Sequence, residues 1–223
     1  MNEPLSIEEL DRDGALRETA AQAAEAGDTR NELLRRGAIA GGGLLIGAVP
    51  LAAAVAQGGG LPKGDIDILN FALTLEFLEA AFYKEAVSNG KLNGRAAKFA
   101  SVVAQHEAAH VQALKQTLGS KAVKEPKFDF KGTTGDPGKF VATAIVLEDT
   151  GVSAYQGAAP MIKTPAVLAA AGSILPIEAR HASWIRNIQG AGKSPVPAPD
   201  AFNAPKSMSQ VLSAVKSTGF IKS

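Results

Sequence analysis

The chain has 223 residues and no cysteine, which excludes disulfides, thiolate zinc sites and iron–sulfur clusters. A formal net charge of +1 argues against a dedicated nucleic-acid binder, and an alanine-rich composition with 5% aromatics suits helices better than sheets. The charge is unevenly spread: residues 1–36 carry five arginines and nine acids, a net of −4, and the remaining 18 bases and 13 acids give the rest of the chain +5.

Residues 1–36 read as a polar, acidic, disordered leader, with at most a frayed helix over Ile7 to Ala26. Residues 37–60 carry no charge. Arg35 and Arg36 stand directly before this stretch, and Ala54-Val55-Ala56 forms a small-residue cleavage pattern near its end. Basic, apolar and small residues in that order describe an export signal, and the arginine pair points to the twin-arginine route. The alternative is an uncleaved membrane anchor, which the many glycines and Pro50 disfavour. The protein is therefore expected outside the cytoplasm, with membrane contact only through this N-terminal segment.

Residues 64–192 predict an all-α domain of four long helices. The first opens at Asp65, read as its N-cap, and stops at Gly90. The second runs from Asn93 to Gly119. The third opens on Asp136-Pro137, cap then N1 proline, and fades by Gly157 or Pro160. The fourth opens on Thr164-Pro165 and ends at Gly190. Two links are short, but Ser120 to Asp136 is long, contains Pro126 and four lysines, and has no helical period. This predicts an antiparallel four-helix bundle made of two hairpins joined by a long crossover between helices two and three, the ferritin-like topology. Residues 193–223 read as a Pro-rich tail with a short helix over Ser207 to Lys216, unlike a packed fifth helix.

The apolar stripe of each helix follows three- and four-residue steps and is interrupted by ionisable groups. Helix one reads Ile66, Leu69, Leu73, Glu76, Ala80, Tyr83, and helix three reads Val141, Ile145, Glu148, Val152, Tyr155, Ala159. Helices two and four carry Glu107-x-x-His110 and Glu178-x-x-His181. A buried carboxylate is costly unless paired or bound to metal, so four on four helices need a common partner. No lysine or arginine falls on these stripes, whereas two divalent cations would cancel four carboxylates. The Glu-to-Tyr spacing is seven residues in both helix one and helix three, so the hairpins are internal repeats with pseudo-two-fold symmetry.

"QHEAAHVQAL" offers a rival reading, since His106-Glu107-Ala108-Ala109-His110 is the H-E-x-x-H of a zinc protease. That reading leaves Glu76, Glu148, Glu178 and His181 without a role, and His106 falls one position off the core face, where it reads as an outer neighbour of the site. Glu79 and Glu85 are expected to face solvent or to stand outside the ligands, Asp149 to support Glu148 from outside, and Trp184 to pack in the core. Pro176, two residues before Glu178, is expected to kink helix four.

These motifs, together with "DIDILNFALTLEFLEAAFYKEA", "LEDTGVSAYQGAAP" and "IEARHASWI", resemble the ferritin-like di-iron carboxylate superfamily, and in particular the exported ferritin-like domain proteins that include the plant desiccation-related proteins. The resemblance covers about residues 64–192. It implies Glu76 and Glu148 as terminal ligands, Glu107 and Glu178 as bridges, and His110 and His181 as one ligand to each metal. It also implies catalytic roles for Tyr83 and Tyr155 as hydrogen-bond partners or electron donors. The implied cofactor is two iron ions, or alternatively manganese, with dioxygen or peroxide as partner and ferroxidase-type chemistry. A stress- or desiccation-related structural or interaction protein is the alternative, with a dimanganese catalase-like enzyme less favoured. No nucleic-acid partner is expected, and a homodimer is left open.

Overall fold

The structure, a computed structural model, describes residues 60–190 and 196–222. The leader, the arginine pair and the cleavage pattern lie outside them. Five α-helices are described: α1 Lys63–Asn89, α2 Gly94–Leu118, α3 Pro137–Ala158, α4 Pro165–Gly190 and α5 Met208–Thr218. Among the described residues, no helix is long and apolar enough to cross a membrane.

The helix ends follow local chemistry. α1 stops where Gly90 takes a left-handed conformation with φ 62°. The Asp136 carboxylate accepts the Lys139 amide at 2.8 Å and Pro137 sits in the first turn, so α3 begins as its sequence predicts. α5 opens with a capping box between Ser207 and Gln210. One predicted cap is wrong. α1 starts after Pro62, and Asp65 lies inside its first turn, fully buried. Its carboxylate instead accepts the amides of Lys163 at 3.0 Å and Thr164 at 2.8 Å, tying α1 to the loop that starts α4.

α1 packs on α2 and α3 on α4, forming two hairpins. The crossover holds a two-residue strand, β1 Lys127–Phe128, and its neighbour Phe130 is buried edge-on against Phe82. α4 runs unbroken through Pro176. The ring stands on an exposed position, and the residue four before it, whose carbonyl the ring crowds, is Gly172.

The C-terminal segment departs most from its prediction. α5 is packed into the fold, its Val211 and Val215 joining Leu75, Leu78 and Phe82 of α1 in one cluster. The chain then forms β2, Ile221–Lys222, antiparallel to β1, with Phe128 opposite Ile221. About half of α1 is buried as a result, on the bundle side and beneath α5. The approach to α3 is close: Lys206 donates its amide to the Ser153 carbonyl at 3.0 Å, and a Cβ on Gly157 would lie 1.9 Å from the Lys206 carbonyl oxygen.

Gly157→Ala therefore tests this docking. Alanine normally stabilises a helix interior by about 1 kcal/mol over glycine. Here the overlap is with backbone, and overpacking costs about 1–3 kcal/mol. A thermal melt of the variant is expected below that of the parent, and a rise in melting temperature would contradict the close approach.

Candidate metal centre

Antiparallel α1 and α3 use their seven-residue spacing reciprocally. The Tyr155 hydroxyl donates to Glu76 Oε1 at 2.5 Å, and the Tyr83 hydroxyl donates to Glu148 Oε1. Each hairpin thus holds the carboxylate of the other. Both tyrosines are buried, and burial, followed by the neighbouring carboxylate charges, pushes each phenol well above its ordinary range.

α2 and α4 complete the cluster. His110 Nδ1 lies 3.1 Å from Glu76 Oε2, 3.1 Å from Glu107 Oε2 and 3.3 Å from Glu178 Oε1. His181 Nδ1 lies 3.1 Å from Glu107 Oε1 and 3.2 Å from Glu148 Oε2. The four glutamates are 0% exposed and His181 is 2% exposed, deep enough that any missing partner is costly. Two groups of side chains could each hold a metal ion: Glu76, Glu107, His110 and Glu178, and Glu107, Glu148, Glu178 and His181. In each, the ligand atoms lie within 4.8 Å of one another, and Glu107 and Glu178 belong to both.

Several of these atoms have no hydrogen-bond partner. Glu107 Oε1, Glu148 Oε2, both Glu178 oxygens and His181 Nδ1 are buried and unsatisfied. The 3.1–3.2 Å approaches of His181 to Glu107 and Glu148 are short enough for hydrogen bonds but are not oriented for them. Lone pairs that converge without meeting one another are what a cation site requires, and an oxygen-rich set with one imidazole per group suits iron or manganese. The residues therefore fit metal ions in two groups that share Glu107 and Glu178.

Without a cation, protons offset the charge. Burial and then the charge of Glu76 push the Glu107 carboxyl up to about 7. Burial and the charge of Glu107 push Glu178 well above the usual carboxylate range. For His181, burial opposes protonation, but Glu107 and Glu148 outweigh it and raise the imidazole to about 10. His110 is raised in the same way against its burial, chiefly by Glu76. Glu76 moves the other way: burial would raise it, but the His110 charge holds it below its ordinary value.

Of the two places expected for Glu79, the structure shows the one outside the ligands. It does not face solvent: it is 3% exposed on α1, outside both ligand groups. It lines a small cavity of about 30 Å³ together with Thr150 and Gly151 of α3 and Val215 of α5. Burial, and then the charges of Glu178 and Glu148, push its carboxyl well above the usual range. A protonated Glu79 leaves the charge balance of four carboxylates against two divalent cations intact. Gly151 makes room for this crowding, since a Cβ there would lie 2.9 Å from Glu178 Oε2.

The remaining singled-out residues fall outside the cluster. His106 Nδ1 contacts His181 Nε2 at 2.8 Å and belongs to neither ligand group, so H-E-x-x-H does not form a two-histidine zinc grip. Asp149 ion-pairs with Arg186 rather than supporting Glu148. Glu85 is exposed and accepts from the Thr134 hydroxyl at 2.5 Å. Trp184 packs edge-on against Phe99.

The model of the ferritin-like domain family matches residues 64–191. A search of curated proteins gave no match.

Because burial and neighbouring charges raise Glu107 and Glu178, and the carboxylates raise His110 and His181, toward forms whose protons a cation must displace, metal binding is expected to release protons at pH 7 and to tighten as pH rises. Titration calorimetry with manganese(II), in buffers of different ionisation enthalpy, measures this. Affinity is expected to gain about tenfold or more per pH unit between about pH 6 and 8. Binding without proton release would contradict the protonated state of the cluster.

Proposed function

Since the chain belongs to the ferritin-like domain family, we propose that its bundle holds two iron ions and couples the oxidation of ferrous iron to the reduction of dioxygen or peroxide. The observation that carries this reading is the set of buried, partnerless oxygens of Glu107, Glu148 and Glu178 around one point. Paired iron, when bound there, supplies the electrons for reducing the oxidant.

The chain's own residues divide the remaining work. Glu76 and Glu148 each serve one metal position, Glu107 and Glu178 span both, and His110 and His181 complete one position each. The sharing of Glu107 and Glu178 between the two ligand groups supports this division. Tyr83 and Tyr155 orient the terminal carboxylates through their hydroxyl bonds. They are also the nearest phenols able to give up an electron. Glu79, protonated beside Glu178, holds a proton within the buried region. The N-terminal basic–apolar–small pattern supports action outside the cytoplasm, by the twin-arginine route.

One observation favours a second reading. The four carboxylates and His181 are closed off from solvent, which suits cations that hold the fold together in a stress-related structural protein. Manganese in the same positions would support peroxide disproportionation instead.

Metal analysis of the purified protein, followed by addition of ferrous iron to apo-protein in air, separates these readings. About two irons per chain and a growing ferric absorbance are expected, with the absorbance lost in the Glu107→Ala, Glu178→Ala double variant. Two tightly held ions without ferrous oxidation favour the structural reading, and bound manganese with rapid peroxide consumption favours the catalase-like one. A double variant that oxidises iron as fast as the parent contradicts the assignment.

A further inference from the structure

The pseudo-two-fold symmetry that relates the hairpins is broken beside the two histidine ligands. His106 lies four residues before His110 on α2, and its Nδ1 is 2.8 Å from Nε2 of His181 on α4. The two rings are nearly parallel, 18° apart, with centroids 5.1 Å apart. The equivalent position on α4, four residues before His181, is Ile177, whose side chain offers no hydrogen-bonding group. Among the described residues, the hydrogen bonds of His110 are made through Nδ1 alone. His181 thus has its outer nitrogen held by His106 while its Nδ1 is left unpartnered toward the carboxylates, whereas among the described residues the outer nitrogen of His110 has no hydrogen-bond partner.

We propose that His106 is a positioning residue that makes the two metal positions unequal, so that the position served by His181 binds a divalent cation more tightly and fills first. This rests on the two-metal reading above. When Nδ1 of His181 faces a metal, its single proton sits on Nε2 and must be donated outward. His106 Nδ1 accepts it, fixing both the tautomer and the ring orientation. An outer partner of this kind typically changes metal affinity about 10–100-fold when removed. His110 at 12% side-chain exposure, against 3% for His181, has no such fixed acceptor. Its ring is ordered from the inner side alone, through the Nδ1 contacts to Glu76 and Glu107 that a bound ion would replace.

Cobalt(II) titration of the full-length apo-protein, read by calorimetry and visible absorption, tests the inequality directly. Two resolved steps are expected, separated by about 10–100-fold in affinity. His106→Leu is expected to weaken the tighter step until the two merge, leaving the weaker step in place. His106→Asn, whose side-chain oxygen can stand where Nδ1 stood, is expected to restore the separation. Ile177→His is expected to strengthen the weaker step. His106 is exposed, and unchanged circular dichroism in its variants would confirm that they fold. Two equal steps in the parent protein, or a His106→Leu variant that weakens both steps alike, would overturn the proposal while leaving the two-metal reading intact. No cobalt binding at all would instead remove the reading on which it stands.

Discussion

Four glutamates buried to zero exposure around a single point are the constraint on which the rest of this molecule depends. An unpaired carboxylate in a protein interior costs several kcal/mol, and like charges within a few ångströms raise that cost. The structure answers with everything short of a cation. Two imidazoles stand between the carboxylates, two phenols donate to the outer pair, and burial with mutual repulsion raises the inner pair toward their protonated forms. Several lone pairs remain unmatched even so. The arrangement is therefore poised rather than satisfied, and the proposed pair of divalent ions would take the place of those protons.

The bundle exists around this cluster in a particular sense. The long crossover places α1 and α3 antiparallel, and only then can Tyr83 meet Glu148 while Tyr155 meets Glu76. A short connection between α2 and α3 would reverse α3 and separate each phenol from its carboxylate. α5 and the strand pair β1–β2 then seal the side of α1 that the four-helix core leaves open. That seal encloses Glu79 as well, so the site carries five buried acids rather than four.

Much of this was legible in the sequence because the signal was redundant. Two Glu-x-x-His motifs and two Glu-to-Tyr pairs, each on a helical stripe, reinforced one another, and the four glutamates and two histidines of those motifs lie together in two groups that could hold a metal ion. What escaped was burial that depends on non-local packing. Glu79 is three residues after Glu76 and four before Tyr83, so it stands on the same helical stripe as an alternative to Ala80, and its burial is decided by packing against Gly151 of α3 and Val215 of α5. Asp65 looked like a local N-cap, yet its partners are amides about a hundred residues away. The helical period of α1 allows both positions to face inward but says nothing of their partners. The C-terminal residues likewise read as a tail because eleven helical residues look marginal alone. Their stability comes from Val211 and Val215 against α1, and from the space that Gly157 leaves for Lys206. His106 was legible as an outer neighbour, but its bond to His181 rather than to its own helix required the fold.

Thermal unfolding of chelator-treated protein, repeated with excess manganese(II), tests the central claim most directly. A cation that binds only the folded cluster adds about 4 kcal/mol when present a thousandfold above its Kd, which for a domain of this size raises the melting temperature on the order of 10 °C. That rise is the predicted result. A melting temperature unmoved by metal, in a protein whose four glutamates remain buried, would contradict the claim that the cluster is built to receive cations.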